Sequence, residues 1–228
     1  MAGQIFPATL VRGQMRFHLK IRRARPATGN GAAPVSAMRG RRTYHSQPFQ
    51  PQPMPDTPLA ELAAALTATP PAEALQGALD LVGPYLRVDR CFLYVRDPAQ
   101  GRGRIAFVWC LDAAVPDPRH DWQDDTGDLP TQDPLFRAAL GARPSVFVDD
   151  VHAAGPEVLN QEFERTTFGH RALVHAHLVD HGQLWGILQP CVFGHPRHWT
   201  AADRDYLAAA VPLFLPVVQS YMRGLGKI

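Results

Sequence analysis

The sequence predicts an α+β fold, with helices packed on one face of a mainly antiparallel sheet. Three observations carry that expectation. Short β-like runs come in neighbouring pairs joined by tight turns, most clearly at Asp180-His181-Gly182. The other strands are joined by irregular crossings, without the strict strand–helix alternation of a parallel sheet. Helical patterns bracket the strands, two at the start and a long one at the end.

Thr57-Pro58 reads as an N-cap followed by proline at the first helical position, opening LAELAAALT. Thr69-Pro70 repeats the device and opens PAEALQGALDLV, whose Leu75, Ala78, Leu79 and Val82 share one face. RCFLYVRD (Arg90–Asp97) is β-like, and GRGR (Gly101–Arg104) reads as the turn into IAFVWCL (Ile105–Leu111). The stretch Asp112–Asp133 then holds seven aspartates, three prolines and Trp122. Loops this long inside a domain are usually functional or mobile, so it reads as an acidic lid in which Trp122 either closes over a ligand or pins the loop to the core. PLFRAALGA is a short helix stopped by Gly141, SVFVDDV a strand, and PEVLNQEFERTTFG a helix ending at Gly169. RALVHAHLV and QLWGILQPCVF form the last hairpin. Thr200 and Asp203 resemble a capping box opening a helix with Leu207, Val211, Phe214, Val218, Tyr221 and Leu225 along one face. Pro212 and Pro216 each cost about 3 kcal/mol in a helix interior, which predicts a kink.

The net charge of +2 averages two unlike segments. Residues 1–55 carry nine of the 23 basic residues and no acid, which leaves 14 basic against 21 acidic groups, a net of −7, over 56–228. The first segment is rich in Pro, Gly, Ala and Arg and has no apolar period. It reads as a basic disordered leader, with Met38 and Met54 as alternative starts, and nucleic acid is not its expected partner. Residues 56–226 read as one domain. No run of 18 apolar residues occurs and no apolar core follows the early basic residues, so neither a membrane span nor a signal peptide is expected. Three cysteines (Cys91, Cys110, Cys191) without CxxC spacing argue against a disulfide framework and a thiolate zinc site. Reduced thiols in a cytoplasmic protein fit best.

The run Leu184-Trp185-Gly186-Ile187-Leu188, then Pro196-Arg197-x-Trp199 and a helix, resembles the end of a phytochrome-type GAF domain, closest to the cyanobacteriochrome branch. FGHRALV (Phe168–Val174) and VFVDDV (Val146–Val151) resemble that family too. The resemblance covers roughly residues 57–226. It implies a six-stranded antiparallel sheet with helices on one side, a ligand pocket on the other, and terminal helices that pair with a second subunit. It also implies a bilin-attaching cysteine, followed by His, in the helix before FGHRALV. Asn160-Gln161 stand there, and an amide cannot form the thioether. A second attachment cysteine near SVFVDDV is also missing, and a pigment-contacting histidine is replaced by Cys191. Covalent bilin at the usual site is therefore not expected, and the cofactor is unknown.

His175 and His177 share a strand face and make half of a metal site, but the third ligand depends on a register the sequence does not fix. A three-residue turn at Gly182 would set His177 opposite Trp185. DWQDDTGD (Asp121–Asp128) lacks the ligand spacing of a calcium loop. Free methionine-R-sulfoxide reductases share the resembled fold, yet residues 112–170 hold no cysteine to attack or resolve. No phosphate loop, nucleophile elbow or zincin motif occurs. The leading expectation is a non-enzymatic GAF sensory domain whose small-molecule pocket uses Cys191, Gln189 and Ile187 from the last strand, Phe163 and Phe168 from the preceding helix, and Trp122 from the lid. It would act through a signalling partner or a homodimer built on the terminal helices. The alternatives are a ligand-free dimerisation module, a noncovalent or Cys191-linked tetrapyrrole photoreceptor, and the sulfoxide reductase.

Overall fold

A computed structural model describes residues 57–125 and 127–226. The expected leader over 1–55 lies outside them. The helices are α1 (Pro58–Ala65), α2 (Pro71–Leu86), α3 (Leu129–Gln132), α4 (Pro134–Leu140), α5 (Gln161–Thr167) and α6 (Ala201–Leu225). The strands are β1 (Arg90–Asp97), β2 (Arg102–Cys110), β3 (Gln123–Asp124), β4 (Val146–Val148), β5 (Ala172–Asp180) and β6 (Gln183–Val192). They form one six-stranded sheet in the order β3-β2-β1-β6-β5-β4, antiparallel at every pairing.

β1 is central, and its unbroken apolar run is buried on both faces. Cys91, Leu93 and Val95 join Leu75, Leu79 and Val82 of α2 and Leu207, Phe214 and Val218 of α6 in the larger core. Phe92 and Tyr94 alternate to the other face, where they meet Leu135, Phe136 and Leu159 in a second, smaller core.

The Thr69-Pro70 reading shifts by one residue. Pro70 takes the N-cap position without a side-chain bond, Pro71 opens the helix, and α2 continues through Pro84 to Leu86. The proline is tolerated because the carbonyl it leaves unpaired, on Asp80 one turn back, belongs to an exposed residue. α6 likewise runs unbroken through Pro212 and Pro216, both on its exposed side, as is Ala208 one turn before the first. The capping box forms as expected, with Asp203 N–H donating to Thr200 Oγ1 at 3.2 Å and Thr200 N–H to Asp203 Oδ2 at 3.0 Å.

The first hairpin turns earlier than its glycines suggest. Asp97 Oδ1 accepts from Ala99 and Gln100 N–H, and Gly101 takes a φ of 60°, so β2 starts at Arg102. Gly103 is a strand residue, kept small because a Cβ there would lie 2.0 Å from the Tyr94 hydroxyl. The last hairpin uses a two-residue turn, His181 (φ 48°) and Gly182 (φ 76°), pairing Asp180 with Gln183 and setting His177 opposite Ile187, not Trp185. The helix expected over PEVLNQEFERTTFG shortens to α5, with the Asn160 side chain accepting from Phe163 N–H at 3.1 Å as its N-cap.

The PRxW segment has a structural role. Trp199 is fully buried, its indole N–H donating to Val148 O at 3.1 Å, while Arg197 stacks 4.3 Å above the ring and pairs with Asp203. Together they fasten the start of α6 to β4.

Candidate functional site

On the sheet face away from α2 and α6 lies a cavity of about 320 Å³. Its floor is Phe92 and Tyr94 of β1, Ile105 of β2, His175 of β5, and Ile187 and Gln189 of β6. The β1–β6 register sets Phe92 beside Gln189 and Tyr94 beside Ile187, which brings these side chains to one face. α3, α4 and α5 roof it with Leu129, Asp133 and Phe136, and with Phe163, Glu164 and Phe168. Phe92 and Phe168 stack at 5.8 Å, and Tyr94 meets Phe136 edge-on at 5.7 Å, giving rigid aromatic walls.

Polar groups are set into these walls with defined roles. His177 Nδ1 lies 2.7 Å from the carbonyl of Arg143, which can only accept, so that nitrogen carries the proton. His177 Nε2 is then an acceptor for His175 Nδ1–H at 2.9 Å. Burial holds the His175 pKa well below its usual value, so the ring is neutral and its remaining nitrogen, Nε2, is a bare acceptor. Gln189 is 97% buried, and its amide has no hydrogen-bond partner among the described residues. Asp133 caps α4, Oδ1 accepting from Leu135 N–H at 2.9 Å, and no cation pairs with it among the described residues. Burial and the nearby Glu164 raise its pKa to about 7.

Behind the cavity wall sits a buried charged cluster. Glu164 Oε2 is 2.7 Å from His170 Nε2, and Arg90 approaches the other ring nitrogen at 3.4 Å. Cys191 completes it. Burial opposes charge on His170, but hydrogen bonds to Cys191 and Glu164 outweigh that and lift its pKa to about 9. Burial also opposes the Cys191 thiolate, and His170 and Arg90 outweigh it, lowering the thiol pKa. Glu164 alone in this cluster also faces the cavity.

At the rim, Asp125 accepts from the Tyr94 hydroxyl at 2.7 Å and from Arg96 Nε and Nη2 at 2.8 and 3.1 Å. The acidic stretch is thus tied down here, with β3 pairing to Arg102 and Gly103 of β2.

Of the six expected pocket residues, Ile187, Gln189, Phe163 and Phe168 line the cavity. Cys191 points to the same sheet face but is fully buried outside the lining, its sulfur 3.5 Å from the Arg90 carbonyl. Trp122 lies outside the lining. It packs against the helix-side core under the guanidinium groups of Arg102 and Arg104, 5.2 and 5.1 Å from the ring centre, and pins the loop instead of closing over a ligand. Asn160 lies outside the cavity on an open groove beside Gln132 and Pro134, donating to Gln132 O at 3.1 Å. Asp133, Glu164 and His175 were not expected in the lining. Asp133-Pro134 was visible as a helix start, but nothing in one dimension sets a cap against a cavity. Among the described residues no group of three potential ligands could hold a metal, so His175 and His177 form a relay with each other and Arg143.

Residues 70–213 match the GAF domain family. No curated protein matches the chain. Among solved structures, the GAF domain of an Acinetobacter phosphoenolpyruvate-protein phosphotransferase superposes with a TM-score of 0.56 at 13% identity, over 75% of this chain and 96% of that one. A phycocyanobilin-bound GAF domain from a cyanobacterial phytochrome gives 0.58 at 17%, over 73% and 94%. A free methionine-R-sulfoxide reductase from Neisseria meningitidis gives 0.54 at 14%, over 73% and 89%. Three different roles at comparable similarity carry the fold and leave the branch to the chemistry of the site. The family match spans more than half of the sequence and covers the sheet, the cavity and the first half of α6, so this chain belongs to the GAF domain family.

Proposed function

We propose that this chain is a non-enzymatic GAF sensory domain that binds a compact small molecule reversibly and passes the occupied state to a partner or a second copy through its terminal helices. The observation carrying this reading is the cavity itself. Of several concavities of similar volume, this one lies against the sheet and is walled by Phe92, Tyr94, Phe136 and Phe168, with the Gln189 amide making no hydrogen bond among the described residues.

A linear tetrapyrrole fits poorly. The volume lies at the low end of small-molecule pockets, Asn160 offers no nucleophile, and the Cys191 sulfur is walled off by Arg90 and His170. Sulfoxide reduction needs an attacking thiol at the ligand, and no cysteine lines the cavity. The three unpaired thiols fit a reducing compartment, and no described helix is long and apolar enough to cross a membrane. For output, α6 carries no charged residue from Leu207 to Met222 and leaves Val211, Leu213, Leu215 and Val217 half-exposed. Such a surface suits a second copy or a signalling partner.

A thermal-shift screen of small molecules of mixed charge, repeated on Ile187→Trp, tests the reading. Hits that raise the melting temperature of the parent and vanish when the indole fills the floor are expected. An absence of hits, or hits that persist in Ile187→Trp, would sink it.

A further inference from the structure

The buried wall of the cavity offers more side-chain acceptors than donors, while His120, Gln123 and Thr167 add donors at its more exposed edge. His175 presents Nε2 as an acceptor, because its other nitrogen donates into the His177–Arg143 relay. Glu164 spends one oxygen on His170 and makes no second side-chain hydrogen bond among the described residues. The Asp133 carboxylate meets only backbone N–H groups of α4. Tyr94, which could have donated, gives its proton to Asp125. The Gln189 amide, which makes no hydrogen bond among the described residues, is a donor in the buried wall, and the Asp133 carboxyl is another while it is protonated. Two carboxylates, one imidazole nitrogen and one amide oxygen therefore await donors, between flat faces supplied by Phe92, Phe136 and Phe168.

Resting on the small-molecule reading above, we infer that the cavity's ligand is a compact flat aromatic cation rich in N–H groups, of the amidine, guanidine or arylamine class. Its charged head sits between Asp133 and Glu164, and its ring lies against the phenylalanines. An anionic ligand would meet two carboxylates, and the buried cations nearby are already engaged, His170 with Glu164, Arg90 beside His170 and Arg96 with Asp125. A purely apolar ligand would leave four acceptors dry and unpaired. The cation answers both problems. It also relieves the repulsion between Glu164 and Asp133, and drives off the proton that Asp133 carries near neutral pH. The groups facing Asp133 are Glu164 from α5 and His170 at the start of β5, with the backbone of Leu135 and Phe136 below.

Naphthalene-2-carboxamidine, its carboxamide and its carboxylate share one shape and differ in charge, and their titration by calorimetry into the whole chain decides the matter. The amidine should bind about tenfold to hundredfold more tightly than the amide, as a charge-assisted hydrogen bond implies, and the carboxylate should not bind. Binding of the amidine at pH 7 should release protons, seen as a dependence of heat on buffer ionisation enthalpy. Asp133→Asn, which keeps an N-cap, should bring the amidine down to the amide and abolish the release. Glu164→Gln should weaken the amidine as well. Equal binding of all three compounds, or an amidine indifferent to Asp133→Asn, would overturn the inference and leave the small-molecule reading standing. The same holds if none binds while hits of other chemistry are lost in Ile187→Trp. Failure of every compound would end both.

Discussion

Replacing Asp125 with alanine removes the only acceptor that serves Tyr94 and Arg96 together. Asp125 is 1% exposed and Arg96 7% exposed, so the guanidinium has no route to water once its two bonds at 2.8 and 3.1 Å are lost. Breaking a buried ion pair from one side costs about 3–5 kcal/mol, because the remaining charge stays buried and unpaired. In a domain of this size each kcal/mol lowers the melting temperature by about 2–4 °C, so a drop of about 6–20 °C is expected. Urea denaturation followed by tryptophan fluorescence measures the loss directly. Limited proteolysis should find the acidic stretch before Asp125 newly cleavable, since the same residue holds it against β2 through Asp125 N–H to Gly101 O at 3.0 Å and the β3 pairing. The triple change Asp125→Ala, Arg96→Met, Tyr94→Phe leaves no buried polar atom behind and should recover most of the stability. A single variant within about 1 kcal/mol of the parent, the range of exposed pairs, would show that the network does not anchor the loop.

Other substitutions test the remaining elements. Asp133 has a folded pKa near 7 against 3.8 unfolded, so its contribution is full below about pH 4 and is lost as pH rises through 7. Asp133→Asn should flatten that decline and be the more stable protein above pH 7 in thermal melts. His170, raised to about 9, stabilises fully below its unfolded value of 6.5 and loses that contribution as pH climbs through 9. Cys191→Ala removes one of the partners that hold it up, and should move the alkaline loss to lower pH. Gly186→Ala sets a Cβ 2.6 Å from the Tyr94 carbonyl oxygen and should cost about 1–3 kcal/mol, whereas Gly77→Ala, with open space around it in α2, should gain about 0.5–1 kcal/mol. Trp199→Ala should cost about 3–5 kcal/mol in chemical denaturation.

Most of the fold was legible because its signals are local. The apolar run of β1, the Asp180–Gly182 turn and the Thr200–Asp203 box each specify geometry within a few residues, and each forms close to where the pattern sets it. The misses share a cause. GRGR looked like a turn because glycine supplies positive φ, yet only Gly101 is used that way, while Gly103 is small to admit the Tyr94 phenol from the next strand. The prolines of α6 predict a kink because each deletes a donor. Whether that matters depends on whether the orphaned carbonyl faces water, and Pro84, Pro212 and Pro216 show that it does not here.

That one error in the first hairpin carries through to the site. Arg102 and Arg104 lie on β2 and not in a turn, and their guanidinium groups cover the Trp122 ring. Strand alternation correctly gave one face to Ile187, Gln189 and Cys191, but alternation says nothing about which row of that face is open. The row through Gln189 opens into the cavity, while the row through Cys191 is closed by Arg90 and His170. Asp133 and Glu164 were hidden for a different reason. One has the sequence signature of a helix cap and the other of a solvated helix surface, and both descriptions are locally correct. What brings them to one cavity is the folding of α4 and α5 over the sheet, which buries two carboxylates near one another, Glu164 bonded to His170 and Asp133 to backbone N–H groups only. Asp133 therefore lines the cavity with no cation paired to it among the described residues, and on the inference above a bound cation is the group that would pair with it.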